Sequence, residues 1–205
     1  DQGLEMWIDN EIEQWADAVW SDAFSGCSAD SVPPFGVVGL NTGASWPTKQ
    51  WTIDGFAQVA DKLLERGYGV AFFGGPMDIE NVENILGRMI YARHPRLTVF
   101  TGRTTLMQLA ALVKKCDIFL TNDSGPMHVV ASQKVPVIAI FGPSNDIGFG
   151  PYSKQSVVIK TNLSCRPCHQ HNCARHDHAC MTDISADAVL AEIEKMLKGL
   201  LLCKN

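Results

Sequence analysis

Four segments bring glycines, hydroxyls and charged side chains together in patterns that suit a phosphorylated ligand. The sharpest is Leu120-Thr121-Asn122-Asp123-Ser124-Gly125-Pro126-Met127-His128. An Asp-Ser-Gly-Pro turn between an apolar run and a helix gathers backbone amides, a hydroxyl and the positive end of a helix dipole around one point, where phosphate oxygens are stabilised. Pro126 suits the first helical turn, because its missing N–H needs no partner there. His128 falls on the same turn and its ring can reach that point; the ordinary alternative is a histidine satisfied in the core. A second segment, Asn41-Thr42-Gly43-Ala44-Ser45-Trp46-Pro47-Thr48-Lys49-Gln50-Trp51, offers small residues for close backbone approach, the Ser45 hydroxyl and the mobile charge of Lys49. It reads equally well as a polar loop whose lysine is merely solvated. In Phe73-Gly74-Gly75-Pro76-Met77-Asp78, Asp78 suits a ligand contact or a helix cap. In Phe100-Thr101-Gly102-Arg103-Thr104-Thr105, Thr104 is a candidate ligand contact, and Thr104 or Thr105 caps the next helix.

A different chemistry is open to Cys165, Cys168, Cys173 and Cys180, which share a short segment with four histidines. Cys-x2-Cys is half of a zinc knuckle, but six residues separate the other pair, outside the usual two-to-four spacing. Structural zinc on these four sulfurs is one reading; a disulfide or free thiols are the others. Zinc there would be structural, since four thiolates leave no open position.

These segments need a scaffold, and the chain supplies a regular one. Apolar β-type runs at Gly36–Asn41, Val70–Phe73, Thr98–Phe100, Ile118–Thr121 and Val135–Phe141 have no polar alternation, as expected of strands covered on both faces by helices. Between them lie helical periods: Phe56, Val59, Ala60, Leu63 and Leu64, stopped by Gly67; Ile79, Val82, Leu86, Met89 and Ile90, ended by Pro95; Leu106, Leu109, Ala110 and Val113. A fourth helix starts after Asp123, and a last runs from about Ser185 to Leu200. The repetition predicts an α/β fold with a Rossmann-like, doubly wound parallel sheet, in which ligands bind at the carboxyl ends of the strands. Ahead of it, Leu4, Ile8, Ile12, Trp15 and Val19 make a helical stripe, with Asn10 and Glu13 at capping-box spacing. Ser25 to Pro34 reads as a linker. The expected organisation is an acidic helix and linker over 1–34, then one domain over 35–205 carrying a Cys-rich loop at 163–182.

Bulk properties exclude several classes. The 205 residues are 46% hydrophobic and 19% charged, ordinary for a globular chain. No stretch is apolar for long enough to cross a membrane as a helix, and the first residues show no basic segment followed by a hydrophobic one, so neither export nor membrane spanning is expected. Residues 1–35 hold eight acids and no Lys or Arg, leaving 14 acids against 17 bases in the remainder. That mild basic excess suits a compact diphosphate; a nucleic acid would call for a dense basic stripe. An odd count of seven cysteines without paired spacings argues for a reducing compartment. The chain begins with Asp1, so it is expected to be a piece of something longer.

The ordered set Gly43-Ala44-Ser45-Trp46-Pro47-Thr48-Lys49-Gln50-Trp51, Phe73-Gly74-Gly75-Pro76, Thr101-Gly102, Asn122-Asp123-Ser124-Gly125-Pro126-Met127-His128 and Phe141-Gly142-Pro143-Ser144 resembles glycosyltransferase family 9, the lipopolysaccharide heptosyltransferases, from about Asn41 to Met181. The resemblance implies the C-terminal, donor-binding half of a GT-B fold, with the acidic helix at 4–22 as the connector between halves. It implies a nucleotide-sugar donor, typically ADP-heptose, and a lipopolysaccharide core acceptor reached through an N-terminal domain. It also implies a cytoplasmic enzyme, one that a peripheral place on the inner face of the membrane would suit, inactive as an isolated piece. Ser45, Lys49, Asp78, Thr104, Asp123, Ser124, Gly125 and His128 become the expected donor contacts, with Lys49 and Asp123 in catalytic roles. Transfer in the family inverts the anomeric centre, with a general base from the N-terminal domain. No cofactor is expected, and the lack of an Asp-x-Asp triplet agrees with metal-independent transfer. Ser124 stands where many members have Thr, and Ala44 where some have a hydroxyl residue. A non-catalytic nucleotide-binding or zinc-stabilised interaction module is the competing reading, and another GT-B enzyme sharing only the fold ranks below it.

Overall fold

The computed structural model describes residues 4–25 and 36–203, so the expected linker and the boundary near Pro34 lie outside the described residues. Six strands form, β1 (Val37–Asn41), β2 (Gly69–Phe73), β3 (Leu97–Val99), β4 (Ile118–Asn122), β5 (Val137–Ile140) and β6 (Ser156–Ile159). They join into one all-parallel sheet in the order β3-β2-β1-β4-β5-β6. The first five match the apolar runs. β6 was not anticipated, because this edge strand is only half-buried, and its pairing of Ser156 with Val137 is a tertiary fact. β5 is shorter than its apolar run; Pro136 has no N–H to give the ladder, although its carbonyl accepts from Phe119.

Eight helices accompany the sheet among the described residues: α1 (Asn10–Ala23), α2 (Ile53–Glu65), α3 (Ile79–Leu86), α4 (Leu106–Val113), α5 (Gly125–Ser132), the single turns α6 (Asp146–Phe149) and α7 (Ala179–Thr182), and α8 (Ala186–Cys203). The start of α1 differs from expectation by one residue. Asp9 is the cap, its carboxylate accepting from the Ile12 amide at 2.8 Å, and Leu4 and Ile8 precede the helix. α3 stops at Gly87 and does not run on to Ile90, because the Asp61 carboxylate takes the amides of Ile90 and Tyr91 at 2.8 and 2.9 Å. Met89 stays buried while Ile90 turns out to solvent.

Alternate strand residues feed two cores. Val38, Leu40, Val70, Phe72, Ile118 and Leu120 meet α2, α3 and α8 on one face. Val37, Ala71, Phe73, Phe119, Val137 and Ala139 meet α1, α4 and α5 on the other. α1 belongs to this second core: Ala16 is fully buried, Trp20 stacks on Phe100 with centroids 6.0 Å apart, and Glu13 and Asp17 pair with Lys114 and Lys115 at the end of α4. Exposed ion pairs of this kind contribute less than about 1 kcal/mol each, so the apolar contact holds the helix and the charges set its orientation. Strand order reverses between β1 and β4, which makes the crevice beyond Asn41 and Asn122 the topological switch point of the sheet.

Candidate active site

Two buried asparagines build that crevice, and nothing in the sequence reading singled them out for a role. Asn41, at the end of β1, holds Nδ2 at 3.2, 3.2 and 3.1 Å from the Gly43 carbonyl, Thr121 Oγ1 and Ser124 Oγ and shares its two hydrogens among them, joining the first loop to the turn after β4. Asn122, at the end of β4, donates from Nδ2 to the Thr42 carbonyl at 2.8 Å and accepts the Trp51 amide on Oδ1 at 3.0 Å. One side chain therefore ties down both ends of the loop that carries Lys49. A third, Asn81, donates to the Thr42 carbonyl and Oγ1 at 3.1 and 3.2 Å. A polar residue closing a fully apolar strand was the available signal, since burial of an amide is tolerated only where its hydrogen bonds are made.

Within this frame Lys49 reaches the turn after β4. Its ammonium lies 2.8 Å from Asp123 Oδ2 and 4.5 Å above the Trp46 ring, with side-chain exposures of 15% for Lys49 and 7% for Asp123. The approach is an ion pair more than an aligned hydrogen bond. Ser124 occupies the N-cap position of α5, but its hydroxyl turns back to Asn41 and to the Asn122 carbonyl, so no side chain caps the helix. A Cβ added at Gly125 would meet no heavy atom within 4 Å. Uncapped amides opening on free space, with a lysine next to them, are an arrangement suited to holding an anion. His128, half-buried on the first turn, faces Tyr152 with ring centroids 5.7 Å apart, and its Nδ1 is buried without a protein partner.

Lys49, Asp123, Ser124 and Gly125 are thus gathered at one place, and His128 follows on the same helical turn with its ring against Tyr152. Ser45 is exposed in the same loop. Asp78 sits beneath that loop, so close that a Cβ on Gly43 would fall 2.0 Å from its Oδ1, while its Oδ2 accepts the Gly75 amide at 2.8 Å. It caps its own turn. Thr104 lies elsewhere: it lines a groove with Trp15, Val19 and Asp22 of α1, at the end of a strand three places from β4, about 14 Å across the sheet. Thr105 caps α4, reciprocally with Gln108.

The Cys-rich loop packs on the outer side of the Lys49 loop. Cys165 is exposed, Cys168 and Cys173 are half-buried and Cys180 is buried, spread around the wall of a cavity of about 60 Å³. Among the described residues no three His, Cys, Asp or Glu side chains converge as a metal site, so the zinc alternative on Cys165, Cys168, Cys173 and Cys180 is not supported. All four sulfurs line that one cavity, but no three of them, with or without a neighbouring His, Asp or Glu, are placed to share one ion. Burial pushes the Cys180 thiol above its ordinary range, and the neighbouring Cys168 adds to this; burial pushes Cys116, under β1, up much further.

The sequence model of glycosyltransferase family 9 (heptosyltransferase) matches residues 8–178. Lipooligosaccharide heptosyltransferase 2 of Campylobacter jejuni serotype O:6 is 32% identical over 162 residues, which is 78% of this chain and 51% of that protein. The crystal structure of a family 9 glycosyltransferase from Veillonella parvula superposes with a TM-score of 0.79 at 33% identity, covering 97% of this chain and 55% of that one. The structure of Escherichia coli ADP-heptose lipopolysaccharide heptosyltransferase II superposes at 0.76 with 26% identity, covering 95% and 54%. The chain spans about half the length of the relatives it matches.

Proposed function

The chain belongs to glycosyltransferase family 9, and from that premise we propose that it is the donor-binding half of an enzyme transferring a heptose or related sugar from a nucleoside diphosphate sugar to a lipopolysaccharide core. The observation that carries the reading is the meeting of the Lys49 ammonium with the uncapped start of α5 at the switch point. A diphosphate seated there has amides for its oxygens and a cation for its charge. As the anomeric C–O bond breaks, negative charge grows on the departing diphosphate, and groups already oriented toward it lower the barrier without reorganising. Asp123 restrains the ammonium between turnovers, and its carboxylate is placed to accept from donor hydroxyls. Ser124 and Gly125 form the floor of the phosphate site, and His128 stands at its rim. Ser45 and Asp78 belong to loops that border it.

In the transfer, the acceptor hydroxyl attacks the anomeric carbon from the face opposite the diphosphate, inverting the centre, and its proton passes to a base. Among the described residues of the crevice the Asp123 carboxylate is engaged by Lys49 and the His128 ring lies against Tyr152, so we assign the base and the acceptor site to a preceding domain, with residues 1–34 as connector and 35–205 as the donor domain. ADP-heptose is the proposed donor, because the E. coli relative is named for it. The described residues include no helix long and apolar enough to cross a membrane, and a cytoplasmic enzyme that approaches its lipid-linked acceptor from the inner face follows from the proposed substrate. Titration with ADP and ADP-sugars tests the reading: at a hundred times the dissociation constant the ligand stabilises the chain by about 2.7 kcal/mol. No shift in the unfolding midpoint with any ADP- or UDP-sugar at millimolar concentration would refute it.

A further inference from the structure

The hydroxyl and the carbonyl of Thr48, the residue just before Lys49, are held by the Cys-rich loop. Its hydroxyl donates to the Gln170 carbonyl at 2.8 Å, and its carbonyl lies 2.7 Å from His178 Nε2. A carbonyl can only accept, so Nε2 carries the hydrogen. That carbonyl is part of the Thr48–Lys49 peptide plane, and fixing the plane fixes the direction in which the lysine side chain leaves the backbone. His178 is itself well anchored. It adopts left-handed backbone (φ 51°), and its carbonyl accepts the amides of Met181 and Thr182 at 2.9 and 3.1 Å. On the same side, His171 lies against Trp46 with centroids 3.8 Å apart, and Trp46 in turn lies under the Lys49 ammonium. Beyond Lys49, Trp51 Nε1 donates to the Ile184 carbonyl at 3.0 Å. The segment 170–184 therefore grips the loop on both sides of the lysine.

We propose that His178 is a positioning residue that acts through the Thr48 carbonyl to hold Lys49 at the phosphate site. The inference rests on the donor-binding reading above for its consequence, but its geometry does not. In a left-handed backbone Ala, Phe and Gln meet a comparable strain, so the comparison of His178→Phe with His178→Gln reports the donor, and that of His178→Ala with His178→Phe reports the volume. Phe keeps the volume without a donor, and the Gln amide can reach the Thr48 carbonyl in place of Nε2.

Two measurements on this chain separate the possibilities. The first is ADP affinity by calorimetry: His178→Ala and His178→Phe weaken binding by about tenfold, roughly what one lost hydrogen bond costs, His178→Gln restores most of it, and in a Lys49→Ala background the His178 substitutions have no further effect. The second is the rate at which an amine-acylating reagent labels Lys49 in the ligand-free chain, which rises severalfold in the Ala and Phe variants but not in Gln. If Ala and Phe leave both quantities at wild-type values, or if their effect on affinity adds in full to that of Lys49→Ala, the positioning role is wrong. If the wild-type chain binds no ADP, the donor reading falls, and the labelling rate alone decides the role of His178, an unchanged rate overturning it.

Discussion

Replacing Lys49 by Met perturbs the most charged contact of the site, and the structure sets the size of the effect. The ammonium and the Asp123 carboxylate are 2.8 Å apart, with the carboxylate side chain only 7% exposed. At an effective dielectric of about 20, two unit charges at that distance attract by about 6 kcal/mol, but each has lost several kcal/mol of hydration on burial. The pair as a whole therefore contributes little, whereas removing one partner strands the other. Stranding a buried charge costs about 3–5 kcal/mol, and the low end applies here because Lys49 keeps 15% exposure and water can follow into its place. We expect Lys49→Met to lose about 3 kcal/mol, a fall of about 6–12 °C in Tm for a domain of this size. Adding Asp123→Asn removes the stranded charge, and the double variant should lie within about 1 kcal/mol of wild type. Urea titration reads both, as a midpoint moving at constant slope. The reasoning fails if Lys49→Met is as stable as wild type, or if the double variant is no better than the single one. ADP binding should be lost in both variants, which separates the stability of the pair from its service to a ligand.

Three further outcomes follow from contacts around the site. Gly43→Ala forces its new methyl to within 2.0 Å of Asp78 Oδ1, so it should cost about 1–3 kcal/mol in a urea melt, part of which Asp78→Ala on the same chain recovers. Among Cys116, Cys165, Cys168, Cys173 and Cys180, alkylation followed by mass spectrometry should label Cys165 first and Cys180 and Cys116 last, since burial pushes the latter two thiols up and shields them. Burial alone would raise the Asp146 carboxyl, but the Lys160 hydrogen bond, a backbone N–H and the charges of Lys160 and Arg166 outweigh it and hold the group below its usual value. Its stabilising contribution is therefore complete above about pH 4 and lost as the pH falls through the depressed value. Asp146→Asn should flatten that part of the stability–pH curve, and an unchanged acid limb would contradict the pairing.

Much of the architecture was legible because it is written locally. Short, uniformly apolar runs such as Ile118–Thr121, closed by turn residues, suit strands covered on both sides, and the spacing of Phe56, Val59, Ala60, Leu63 and Leu64 with Gly67 behind them suits one helix and its end. The Asp-Ser-Gly-Pro turn likewise carries its meaning in adjacent residues, because a helix start needs no distant partner to expose its amides. What failed locally failed for identifiable reasons. α3 ended early because Asp61, in another helix, competes for the next amides, and β6 forms only because β5 offers it an edge.

Which loop residues stand together was decided by strand order alone. Thr104 and Ser124 look alike in sequence, hydroxyls after strands and before helices, yet one closes an outer strand beside α1 and the other closes β4 at the switch point. The ion pair of Lys49 with Asp123, the ties of Asn41 to Thr121 and Ser124 and of Asn122 to Thr42 and Trp51, and the grip of His178 on Thr48 join residues 71 to 130 positions apart. Periodicity and caps report only what a residue does within a turn or two of itself; contacts at such separations exist only after the sheet has been ordered and its two helical layers packed.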